Sequence, residues 1–108
     1  MTMGKLVRDK IPQIIEAGGA TPMTRILEQD EYLACLETKL DEEVGEFHES
    51  KSPEELADIL EVVYALAEAR GCSPSELQQI FDAKHAARGG FQKRIFHKKL
   101  QHIFIQIR

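Results

Sequence analysis

Residues 41–61, Asp41-Glu42-Glu43-Val44-Gly45-Glu46-Phe47-His48-Glu49-Ser50-Lys51-Ser52-Pro53-Glu54-Glu55-Leu56-Ala57-Asp58-Ile59-Leu60-Glu61, decide how this chain is read. Two helical patterns meet there. On the N-terminal side Leu33, Leu36, Leu40, Val44 and Phe47 recur at steps of three and four, which predicts an amphipathic helix from Asp30 to Glu49. Ser50-Lys51-Ser52-Pro53 breaks it. On the C-terminal side Ser52 reads as an N-cap, Pro53 as N1 and Glu55 as the N3 partner of a capping box. The helix so opened is predicted to run to Arg70 and stop at Gly71. A break this short folds the two helices into an antiparallel hairpin.

The same stretch places carboxylates where core residues belong. Glu43 lies three residues after Leu40 and four before Phe47, on the apolar stripe; a charge there is expensive unless something pairs with it. Glu46 follows one turn later. In the second helix the line 55, 58, 62, 65, 69 reads Glu55, Asp58, Val62, Ala65, Ala69. With a rise of about 1.5 Å per residue, Glu46 and Glu55 lie about 6–8 Å from the turn, and Glu43 and Asp58 about 10–12 Å. The four acids therefore face one another level by level, with Glu61 as a fifth candidate. Carboxylates so gathered need a counter-charge, and a hard divalent cation with oxygen ligands provides one. Mg²⁺ or Mn²⁺ suits this donor set better than zinc, since no histidine or cysteine joins it. Each acid also has an ordinary reading: Glu55 closes its capping box, Glu46 is solvated, and Glu43 pairs with a lysine.

Outward from the hairpin, Lys5-Leu6-Val7-Arg8-Asp9-Lys10-Ile11-Pro12 leads into a short helix carrying Ile14 and Ile15, which Gly18-Gly19 ends. Residues 20–29 read as a connection, with Met23 to Leu27 extended. Ser73-Pro74-Ser75-Glu76 repeats the capping pattern and opens a helix with Leu77, Ile80 and Phe81, ended by Gly89-Gly90. The last residues, His102 to Ile107, are β-prone and apolar. The expected fold is all-α, built around this helical hairpin. A second subunit is expected because the helix from Pro53 to Ala69 is apolar on nearly every side.

Composition narrows the function. The chain has 108 residues and two cysteines, one small domain with no disulfide framework. No apolar run reaches the roughly 18 residues of a membrane span, and the charged N-terminus has no signal-peptide pattern, so a cytoplasmic protein is expected. The net charge of −4 argues against a nucleic-acid polymer as partner. That total conceals a segregation: residues 1–27 carry +2, residues 28–61 carry −11 and residues 62–108 carry +5. An acidic segment between basic ends repels itself unless cations neutralise it.

Glu43-Val44-Gly45-Glu46 and Glu55-Leu56-Ala57-Asp58 resemble the paired E-x-x-E and E-x-x-D motifs of the MazG-like all-α nucleotide pyrophosphohydrolases. The opening Lys5 to Pro12 and the later Lys84-His85-Ala86-Ala87-Arg88-Gly89-Gly90-Phe91 resemble a subgroup labelled phosphoribosyl-ATP pyrophosphohydrolase-like. The likeness spans residues 5–96, which makes 1–96 the expected domain and 97–108 a C-terminal extension. The resemblance implies an all-α fold in which the helical hairpin completes a four-helix-type bundle by oligomerisation, a homodimer or larger assembly, with Glu43, Glu46, Glu55 and Asp58 binding Mg²⁺. It implies hydrolysis of a nucleoside triphosphate between the α and β phosphorus atoms, releasing a monophosphate and pyrophosphate. Glu46 or Glu43, where not fully engaged with metal, is the candidate to orient or deprotonate the attacking water. Lys84 and Arg88, four residues apart on one helix face, and the cluster Lys5, Arg8 and Lys10 are the candidate phosphate ligands. Eight residues separate Glu46 from Glu55, a shorter gap than is usual in the family. Two alternatives stay open: a phosphoribosyl-ATP pyrophosphohydrolase of histidine biosynthesis, and a non-catalytic helical module whose acidic face binds a basic partner.

Overall fold

The structure, a computed structural model, describes residues 4–98. Within them the chain is all-α, with helices α1 (Ile11–Ala17), α2 (Gln29–Ser50), α3 (Pro53–Ala69) and α4 (Pro74–Arg88) and no strand. Residues 20–28 form an irregular connection. The expected β-prone segment His102 to Ile107 lies outside the described residues.

Local chemistry accounts for the boundaries. α2 begins with a capping box in which the Glu28 side chain accepts from the backbone at Glu31 and the Glu31 carboxylate accepts from the Glu28 N–H. It ends on Lys51, in the left-handed conformation (φ 59°), whose N–H donates to the Phe47 carbonyl at 2.8 Å. That residue reverses the chain, and only Ser52 separates it from α3. Ser52 caps α3 by accepting from the Glu54 N–H at 3.2 Å. The capping box expected at Glu55 does not form: its carboxylate instead accepts from Ser50 Oγ at 3.5 Å, which frees Glu55 to lean across the hairpin. α3 closes with paired bonds from the Gly71 N–H to Glu68 O and the Cys72 N–H to Ala67 O, 3.0 and 2.8 Å. This is a Schellman ending, and it needs the positive φ of Gly71. The expected capping box of α4 is complete, Ser73 with Glu76.

α2 and α3 pack as the hairpin, and α4 packs against α3 alone; α1 touches no other helix. The open end of the hairpin is fastened by Arg70 Nη2 to Glu37 Oε2 at 3.0 Å and by Gln29 Nε2 to the Ala69 carbonyl at 3.3 Å. Among the described residues only Leu36 and Val62 are buried apolar side chains, while Leu56 and Leu60 on α3 remain 49% and 51% exposed and Ile80 and Phe81 on α4 52% and 59%. The single chain thus buries little of the apolar area on which a fold of this size depends.

Candidate metal centre

The hairpin brings Glu43, Glu55 and Asp58 together: each offers a carboxylate oxygen, and these oxygens lie within 4.8 Å of one another. A second group, on α2 alone, joins Glu43 to Glu42 and Glu46 with the same spread. Glu43 belongs to both. Glu46, level with Glu55 on a linear count, turns toward its own helix neighbours rather than across the hairpin. Helical rise sets the height of a side chain but not the azimuth at which it meets the partner helix.

Glu43 is 7% exposed, the one buried charged residue among those described. Its Oε1 lies 3.3 Å from Lys39 Nζ, whereas its Oε2 is buried with no hydrogen-bond partner. Burial pushes the Glu43 carboxyl above the usual carboxylate range; Lys39 opposes that shift, and the charge of Glu46 reinforces it. The ammonium of Lys39 also reaches Glu42 Oε1 at 3.2 Å. Burial would lower the Lys39 pKa, but its bonds to Glu42 and Glu43 outweigh that and hold it above its ordinary value. The bond from Lys39, aided by the charge of Lys5, holds Glu42 below the carboxylate range.

The N-terminal cations divide. Lys5 Nζ lies 3.6 Å from Glu42 Oε1, and Arg8 spans two acids of α3, with Nη1 3.2 Å from Asp58 Oδ1 and Nη2 3.4 Å from Glu61 Oε1. Among the described residues Lys10, Lys84 and Arg88 form no ion pair, and all three are exposed. Lys84 and Arg88 sit on α4, which contacts α3 but not α2. The lysine that the ordinary reading of Glu43 calls for is Lys39, which sequence reasoning left unnamed together with Glu42. The i, i+3 and i, i+4 spacing of Lys39 from Glu42 and Glu43 is the signal that names both.

A cation fits these residues. An orphaned buried carboxylate oxygen is costly, the oxygens of Glu43, Glu55 and Asp58 converge beside it, and an all-oxygen donor set suits Mg²⁺ or Mn²⁺. Among the described residues no helix is long and apolar enough to cross a membrane.

One stretch of 44 residues is 59% identical to an uncharacterized protein of Mycolicibacterium smegmatis, a match that takes in 41% of this chain and 45% of that relative. The chain therefore covers less than half of that relative's length. No family model and no solved structure matches the chain.

Proposed function

We propose that this chain is a Mg²⁺-dependent nucleoside triphosphate pyrophosphohydrolase of the MazG-like all-α type, cleaving the α–β phosphoanhydride to a nucleoside monophosphate and pyrophosphate. One observation carries the reading: a nine-tenths buried Glu43 with an orphaned oxygen, set against Glu55 and Asp58 from the facing helix. The resemblance of the four acidic positions, of Lys5 to Pro12 and of Lys84 to Phe91 supports it.

Glu43, Glu55 and Asp58 would hold the ion, with Glu46 at the edge of the group. Bound there, Mg²⁺ supplies charge neutralisation at the phosphates and a bound water of lowered pKa. Glu46, exposed and paired with no cation among the described residues, is the base that orients or deprotonates the attacking water. Glu43 serves in the same role only through its second oxygen, because Lys39 holds the first. Lys5 and Arg8, already at the rim of the acids, bind substrate phosphate, and Lys10 extends that cluster. Lys84 and Arg88 reach the phosphates from α4 of the same chain or of a second subunit. The half-exposed Leu56 and Leu60 of α3 support a homodimer or larger assembly that covers them.

The test is pyrophosphate release from a panel of nucleotides with Mg²⁺, run beside thermal unfolding with and without the ion. Mg²⁺ or Mn²⁺ is expected to raise Tm, and Glu43→Gln or Asp58→Asn to abolish that rise. The absence of a thermal shift with either ion, together with the absence of pyrophosphate release, sinks the enzyme reading and leaves the interaction module.

A further inference from the structure

Resting on the metal-site reading above, we infer that Arg8 and a divalent cation are alternative partners of the Asp58 carboxylate, so that loading the ion releases Arg8 to take a substrate phosphate. Asp58 takes part in two arrangements at once. It accepts from Arg8 Nη1 at 3.2 Å, and it shares with Glu43 and Glu55 the set of oxygens that lie within 4.8 Å of one another. The guanidinium does not complete that set, because Glu43 Oε2 stays buried and without a partner while Arg8 is in place.

Arg8 has the properties of a displaceable occupant. Its side chain is 60% exposed, and its partners Asp58 and Glu61 are 39% and 55% exposed, so the contact is weak and screened by solvent. Its planar fork of donors matches a phosphate as well as it matches two carboxylates. Lys5, in the same segment, pairs with Glu42 at 3.6 Å, and Arg8 Nη2 also reaches Glu61 Oε1 at 3.4 Å, so Arg8 keeps a partner beside the site when it leaves Asp58. Metal and phosphate then favour each other: an ion on Asp58 frees Arg8, and a phosphate on Arg8 frees Asp58. Linkage makes that coupling equal in both directions. No covalent bond changes in the exchange.

Two other roles for Arg8 predict different outcomes. A fixed support for Asp58 would weaken metal binding when removed. A diffuse cation would act no differently from Lys10, two residues along the same segment and without an ion pair among the described residues. The experiment is calorimetric titration of Mn²⁺ alone into the full chain, with helicity checked by circular dichroism, for wild type, Arg8→Met, Arg8→Lys and Lys10→Met. Arg8→Met is expected to tighten Mn²⁺ by about two- to fivefold, the range that removal of an exposed ion pair allows. Arg8→Lys is expected to fall between it and wild type, since one ammonium cannot fork to both Asp58 and Glu61. Lys10→Met is expected to change affinity less than Arg8→Met does. Unchanged or weaker binding in Arg8→Met, or an equal gain in Lys10→Met, overturns the exchange while the metal site stands. Absence of Mn²⁺ binding in wild type and variants alike overturns the metal-site reading and the exchange with it.

Discussion

Lys39 Nζ lies 3.3 Å from Glu43 Oε1, one turn along α2, and 3.2 Å from Glu42 Oε1, so two adjacent acids share one ammonium. Its side chain is only 15% exposed and that of Glu43 9%, which places the pair where solvent screens it little. Lys39→Met removes the cation and leaves a buried carboxylate without a partner on either oxygen. A loss of about 1–3 kcal/mol is expected, read from urea unfolding at neutral pH. A loss under a few tenths would mean that Glu43 is neutralised by something other than Lys39.

The pH dependence of that position has a definite sign. Burial raises the Glu43 carboxyl above its unfolded value, so between the two the native chain binds more protons than the unfolded chain. Its contribution to stability therefore falls as pH rises through that window. Glu42 is shifted the opposite way, and its contribution is lost as pH falls. Comparing wild type with Glu43→Gln isolates the first effect: the variant gains on wild type as pH rises from the ordinary carboxylate range, then levels off. Denaturation curves across that range check it, and a variant that loses ground to wild type as pH rises contradicts the sign.

Gly45 sits inside the E-x-x-E motif, in the middle of α2, and a Cβ built there meets nothing within 4 Å. Glycine in a helix interior costs about 0.5–1 kcal/mol relative to alanine. Gly45→Ala is therefore expected to raise stability by that amount in the isolated chain. If the variant is instead destabilised, or changes its oligomeric state, a second subunit approaches the backbone at this position.

Leu56 and Leu60, one turn apart on α3, stand half exposed. The double variant Leu56→Ser/Leu60→Ser is expected to shift the chain toward monomer in light scattering at micromolar concentration, with helicity preserved at low concentration. A wild-type monomer under the same conditions contradicts the assembly outright. An unchanged assembly in the variant moves its interface to another face, such as that of Ile80 and Phe81.

Helix starts and stops were legible because their causes are local. Ser52, Pro53, Ser73, Pro74 and Gly71 act within four residues of themselves, and each is found at the terminus it marks. Glu55 departs from that rule: its capping pattern was sound, yet Ser50 Oγ across the turn claims the carboxylate. A side chain with two available partners is settled by the shape of the turn, which the spacing of residues does not encode.

The sequence by itself determined that the chain is helical, that it doubles back at Lys51 and that Glu43 lies on an apolar stripe, because periodicity and capping are properties of neighbouring residues. Only the tertiary structure decided which acids meet. The angle at which α2 faces α3 joins Glu55 and Asp58 to Glu43 and turns Glu46 toward Glu42. It also decided which cations attend them. Lys39 comes from the adjacent turn of the same helix, and Lys5 and Arg8 come from a segment 37 to 53 residues away in sequence from the acids they pair with. Contacts over such separations arise from packing, which no local pattern specifies.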